Sequence, residues 1–204
     1  MMLASLPRFV ALMSLLAIAA LTNFATTCQA AEEPQFLVDQ FGEKHAIGAA
    51  GNGVTILVYG DRKAMKASKE LGSQLHLAFH PTAAGLPPAE GAKAPVRPVA
   101  GAQGPSPEVF VIPVALMGDK IPEPIRPVII KQFKKGSPDF PVWLDFENLL
   151  KSQYGAAEGA TQVLVFDRDS QLRWQGTCTL EEAQVNQLLR RIEALRVEQL
   201  RAGR

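Results

Sequence analysis

The run Gly53–Tyr59 (GVTILVY) is almost unbroken in apolar and β-branched residues. A strand without polar alternation must be covered on both faces, as the central strands of α/β sheets are. In the residues that follow, DRKAMKASKELGSQLHLAF, Ala64, Ala67, Leu71, Leu75 and Phe79 recur at three- and four-residue steps. They draw a single apolar stripe on a helix. Buried strand followed by amphipathic helix is the first half of a βαβ unit.

The second half is delayed. Of the 27 residues from Pro81 to Pro107, 18 are Pro, Gly or Ala, and the larger apolar side chains are Leu86, Val96 and Val99. Such a stretch cannot build its own core. It is expected to be a flexible, proline-stiffened insertion at the surface of the domain, the alternative being a partner-docking segment in extended proline conformation. Glu108–Met117 (EVFVIPVALM) then supplies a second apolar strand, and Pro113 removes a backbone donor from it, which predicts an edge position or a bulge. A helix follows, led in by Pro122, Pro124 and Pro127, carried by Val128–Phe133 and ended by Lys134, Lys135 and Gly136.

The remainder keeps the α/β order. Phe140–Leu144 reads as a third strand and Phe146–Tyr154 as a short helix stopped at Gly155. Thr161–Asp167 and Gln171–Gly176, joined by the turn formers Asp167-Arg168-Asp169-Ser170, read as an antiparallel hairpin. The last helix has a capping box in Thr179 and Glu182, and a stripe of Leu180, Val185, Leu188, Leu189, Ile192 and Leu195.

A chain of 204 residues accommodates one full-sized domain. Ahead of it, Arg8, an apolar run from Phe9 to Leu21 and a polar, small-residue stretch to Ala30 have the three-part form of a secretion signal. The expectation is a signal peptide over residues 1–30, cleaved near Ala30, and an exported domain over residues 31–204 in the periplasm or outside the cell. The alternative is a retained anchor reaching back to Met2. The apolar run falls short of the roughly 20 residues that a spanning helix needs, so no stable membrane span is expected once the signal is removed. Removal of Arg8 balances 20 acidic residues with an equal number of basic ones. Nothing in that balance provides an electrostatic footprint for nucleic acid. Of the two cysteines, Cys28 lies in the signal, which leaves Cys178 without an intramolecular partner.

The order of buried strand, helix, long crossover, strand, helix, strand, helix, hairpin and capped helix resembles peroxiredoxin-like members of the thioredoxin superfamily, of the alkyl hydroperoxide reductase or thiol-specific antioxidant type. FLVDQFGEKHAI (36–47) is similar to their opening hairpin, and FPVWLDFENLLKSQYGAAEGATQVLVFDRDSQLRWQG (140–176) to their second half. The resemblance spans roughly residues 34–198. It implies an α/β, three-layer thioredoxin-like sandwich with a mixed central sheet. It also marks what is missing. Active relatives place cysteines after the first core strand, where the helix N-terminus favours thiolate. Here the position reads Gly60-Asp61-Arg62-Lys63-Ala64-Met65-Lys66, and Ala160-Thr161 stands where the proline before the hairpin strand is usual.

Three sets of residues are candidates for a site. Asp61, Arg62, Lys63 and Lys66 occupy the former cysteine segment and would bind an envelope protein or a small anionic ligand; Asp61 is also the natural N-cap and the cations a solvated first turn. Cys178, directly before the Thr179 cap, would be a thiolate with redox chemistry of its own if exposed, and a small apolar group against Ala183 if buried. His76 and His80, four apart on one helix, have a spacing found in metal sites, but two ligands do not make a site, His45 is the only other histidine, and none is expected. There is no glycine-rich phosphate loop and no nucleophile elbow, and no cofactor is expected. The expected protein is a non-catalytic binding or accessory protein of the cell envelope. The alternative is a single-cysteine thiol oxidoreductase working through Cys178.

Overall fold

The computed structural model describes residues 35–49, 51–118 and 121–202. The signal expected over residues 1–30 and Cys28 lie outside the described residues. Strands β1 (Phe36–Asp39), β2 (Lys44–Ala46), β3 (Gly53–Gly60), β4 (Glu108–Leu116), β5 (Trp143–Asp145), β6 (Gln162–Phe166) and β7 (Leu172–Thr177) form one mixed sheet in the order β2-β1-β5-β4-β3-β6-β7. Pairings β3–β4 and β4–β5 are parallel, and the other neighbours are antiparallel. The helices are α1 (Met65–Phe79), α2 (Pro88–Gly91), α3 (Arg126–Gly136), α4 (Leu149–Tyr154) and α5 (Glu182–Ala202).

Every residue of β3 is buried, as its unalternating sequence requires. Its side chains feed two cores. Val54, Ile56 and Val58 join Val109, Val111, Val163 and Val165 beneath Leu71, Leu75 and Phe79 of α1 and Val185, Leu188 and Ile192 of α5. On the opposite face Leu57 and Tyr59 join Val114, Leu116, Leu164, Phe166 and Leu150 of α4. The α/β sandwich with a mixed central sheet is thus observed. The βαβ unit β3–α1–β4 and the ββα unit β6–β7–α5 share β3 and β6 as neighbours, which is the thioredoxin-like arrangement.

Local expectations fare differently. Strand β4 is interior to the sheet, flanked by β3 and β5, yet β5 pairs only with Val114–Leu116. The N–H of Met117 reaches Asp145 O (3.3 Å), and Val109 O receives the His80 ring (3.0 Å), so the odd-numbered residues turn their polar groups to this side. Pro113, with no N–H to offer, is among them and lies one residue before the β5 ladder. The edge expected at Pro113 is real but local.

The capping box is replaced by a different pair. Helix α5 begins at Glu182, Thr179 Oγ1 accepts from Glu181 N (3.3 Å), and Gln184 Oε1, not Glu182, reaches back to Thr179 N (3.0 Å). The helix starts two residues later than Thr179 would set, so the residue in reach of the Thr179 N–H shifts by two as well.

Residues 81–107 meet the rest of the domain at several points. The His76 ring meets Gly91 O (3.1 Å), the His80 ring meets Ala94 O (2.8 Å), and Arg97 N–H donates to Phe79 O (2.7 Å). Val99 is buried and Val96 lies against the core beneath α1. Arg196 of α5, fully buried, donates from Nη2 to Arg97 O (2.7 Å), from Nε to Pro107 O (3.0 Å) and from Nη1 to Glu193 (2.9 Å).

Candidate functional site

The parallel strands β3, β4 and β5 end at Gly60, Leu116 and Asp145. Ligands of open α/β sheets bind outside such carboxyl ends. Gly60 is required there, because a Cβ on it would lie 2.7 Å from Ala64 Cβ and 2.9 Å from Ser68 Oγ. That close approach lets the chain turn directly from strand into α1.

Asp61 lies three residues before the helix N-cap position, which Ala64 occupies. It caps the preceding turn rather than the helix itself. Its Oδ1 accepts from Lys63 N (2.9 Å) and Ala64 N (3.0 Å), and its Oδ2 accepts from Gly159 N (2.9 Å). The hydrogen bonds from Gly159 and Ala64 hold the carboxyl below its usual range, against a small opposing effect of burial. Thus a carboxylate of the chain itself takes up the N–H groups of this turn, and it fastens α1 to the loop before β6. Lys63 is paired with Glu158 (2.6 Å), both side chains well exposed. Arg62 and Lys66 are exposed and, among the described residues, take part in no ion pair or side-chain hydrogen bond. Asp61, Arg62, Lys63, Leu116, Met117 and Gly118 line an open depression of about 450 Å³. Met65, 50% exposed, adds an apolar group beside the cations.

On the β6 side, Thr161 replaces the expected proline. Its Oγ1 meets Ser68 Oγ (3.1 Å) and its carbonyl accepts from Cys178 N (3.0 Å). Cys178 therefore shares this end of the sheet through its backbone, as the resemblance implied, but its side chain turns inward. It is 5% exposed, belongs to the core with Val185 and Leu188, and directs Sγ to Thr179 O (3.4 Å). Burial pushes the thiol above its ordinary range. A thiolate at neutral pH is disfavoured there.

The three histidines come together around another groove, lined by His45, His76, His80, Phe110, Phe140 and Trp143 among others. The His76 and His80 rings stack at 4.6 Å, and His45 stacks on Trp143 at 4.7 Å. The His76 and His80 ring nitrogens go to backbone carbonyls. Among the described residues, the group with metal-ligating spacing is Asp39, Glu43 and His45. Asp39 is already committed: Oδ1 accepts from Phe41 N (2.8 Å) and Glu43 N (3.0 Å), while Oδ2 meets His45 Nε2 (2.9 Å). Burial raises this carboxyl, and the His45 and backbone hydrogen bonds outweigh that effect and hold it below its usual range. These bonds close the β1–β2 turn. Sequence reasoning missed this cluster, and the spacing Asp-x3-Glu-x-His was the signal that could have found it.

No family model and no curated protein matches the chain. Among solved structures it is similar to an uncharacterized conserved protein from Geobacillus kaustophilus, at 15% identity over 81% of this chain and 79% of that one, with a TM-score of 0.50. An exposed lipoprotein thioredoxin from Streptococcus pneumoniae aligns at 18% identity over 78% and 98% of the two chains, TM-score 0.46. A peroxiredoxin-like protein from Aquifex aeolicus aligns at 14% over 78% and 83%, TM-score 0.43. Likeness at such identities concerns fold alone. Among the described residues no helix is long and apolar enough to cross a membrane. By its strand order and its two shared units, the chain has a thioredoxin-like α/β fold that carries Asp61, not a cysteine, between its first core strand and first helix.

Proposed function

We propose that this is a non-catalytic binding or accessory protein of the cell envelope, which uses the edge around Asp61–Lys66 to hold an acidic surface of a protein partner. The observation that carries the reading is the division of labour at that edge. Asp61 is spent on the turn, while Arg62, which lines the depression with Leu116–Gly118, and Lys66, next to the exposed Met65, stand without an ion-pair partner among the described residues. Cations beside an exposed apolar side chain suit a protein surface. A small anion is less well served, because the N–H groups of the entering turn already have Asp61 as acceptor. The single-thiol alternative is opposed by the inward Sγ of Cys178 and its raised pKa.

The test is a pull-down from envelope extract comparing the intact chain with the double variant Arg62→Glu, Lys66→Glu. These substitutions spare Asp61, whose loss would disturb the turn. A control changes Lys134 and Lys135 to Glu on α3. Partners should be lost from the first variant and retained by the control. Equal recovery by all three baits would end the proposal.

A further inference from the structure

Strands β1 and β2 pair antiparallel in the register Leu37↔His45 and Val38↔Lys44, and the N–H of Asp39 donates to Glu43 O (3.0 Å). Residues opposite each other in such a ladder share a face, as do residues two apart on one strand. Asp39, Glu43 and His45 therefore belong to one face of the hairpin, and Lys44 to the other. One ligand atom from each of the three lies within 4.8 Å of the other two.

Outer contacts orient this set in the way that metal ligands are oriented. Asp39 Oδ1 takes the N–H groups of Phe41 and Glu43, which turns Oδ2 to His45 Nε2 at 2.9 Å. The His45 ring lies against Trp143, centroids 4.7 Å apart and planes 11° from parallel. Trp143 is also the residue of β5 that pairs with Asp39, so β5 sets the position of both carboxylate and imidazole. Glu43 is exposed and, among the described residues, has no ion pair or side-chain hydrogen bond, although it stands beside the Asp39 carboxylate. Two carboxylates so close repel each other unless a cation joins them.

We propose that Asp39 Oδ2, His45 Nε2 and the Glu43 carboxylate form a binding site for a divalent cation of the zinc class, which clasps the β1–β2 hairpin. Two carboxylate oxygens and an imidazole nitrogen are zinc donors, and a tetrahedral ion with bonds of about 2.0–2.1 Å sets its ligand atoms roughly 3.3 Å apart. The Asp39–His45 pair opens slightly to reach that separation, and the exposed Glu43 side chain rotates in to complete it. The ring hydrogen between Oδ2 and Nε2 passes to Nδ1, and water takes the fourth position. The ion enters from the His45 and Glu43 side, since Asp39 is 1% exposed. Calcium and magnesium prefer six or more oxygen ligands and fit this set poorly. The His76 and His80 ring nitrogens lie against backbone carbonyls and take no part.

The test is calorimetric titration of the full chain with Zn2+ and, separately, with Ca2+, together with thermal melts in each ion. A single zinc ion should bind per chain and raise the melting temperature, with Ca2+ far weaker. Glu43→Gln, which has no partner to lose and so keeps the fold, should weaken zinc by at least about tenfold, a loss that follows even from removing an outer partner. His45→Gln should abolish binding, and His76→Gln should leave it unchanged. Absence of zinc binding, equal binding of Ca2+, or zinc affinity that survives Glu43→Gln would each overturn the proposal.

Discussion

Helix α1 joins two ends of the molecule that handle charge in opposite ways. At its start Lys63 and Glu158 pair across solvent, and Arg62 and Lys66 are left exposed. At its finish Arg196 is buried with its donors spent on the carbonyls of Arg97 and Pro107 and on Glu193, and the ring nitrogens of the buried His80 lie against the carbonyls of Ala94 and Val109. Buried charge is tolerated only when its hydrogen bonds are met, and each bond met there pins the inserted segment. Exposed pairs contribute little to stability. The finish of α1 therefore builds the fold, and the start remains available to a partner.

The sharpest way to break this comparison is Arg196→Ala. It leaves the carbonyls of Arg97 and Pro107 without their buried donor and Glu193 with Arg97 as its remaining partner, and a loss of about 3–5 kcal/mol is expected in denaturant unfolding. A near-neutral result would show that the segment is not held from α5.

A smaller effect belongs to Tyr59, which donates its phenol to Gly155 O (2.8 Å) at the end of β3. Burial, with Tyr154 and Asp145 nearby, raises its pKa from 10.0 to about 12. A folded-state value above the unfolded one means that the contribution is complete below pH 10 and is lost as pH rises through about 12. Alkaline unfolding curves should show this decline, and Tyr59→Phe should flatten it.

Asp61→Ala removes three acceptor contacts at an exposed turn, and about 1 kcal/mol should be lost in thermal or denaturant melts. The carboxyl is held low, so its contribution is present at neutral pH and fades as pH falls through its folded value. The variant should accordingly converge on the parent in acid. The smallest change in stability, within about 0.5 kcal/mol, is expected for Arg62→Glu with Lys66→Glu, because neither side chain has a partner to lose. A large loss there would assign the exposed end a structural role.

How legible these features were depends on how local their causes are. Strand β3 and helix α1 follow from periodicity, since two-sided burial and a 3.6-residue stripe are written directly in GVTILVY and in Leu71, Leu75 and Phe79. The gap in the cysteine segment was visible because an absent residue needs no tertiary context. Arg196 was not legible. It interrupts the apolar stripe of α5 and reads as surface, and only Pro107 and Arg97, about ninety to a hundred residues away in sequence, explain why it is buried. Asp145 was hidden for the same reason. It sits fully buried at the end of β5, accepting from Leu149 N and Leu150 N to start α4. The metal-like spacing of His76 and His80 was readable, but not the carbonyls that occupy their nitrogens.

The most direct measurement is the rate at which a thiol reagent labels Cys178 in the native chain, followed with increasing denaturant. The expected rate is that of a core side chain, limited by unfolding and rising with it, because Sγ lies among Val185 and Leu188 and burial holds the thiol protonated. Rapid labelling without denaturant, with a midpoint below the ordinary thiol range, would contradict a non-catalytic protein and restore Cys178 as a reactive group.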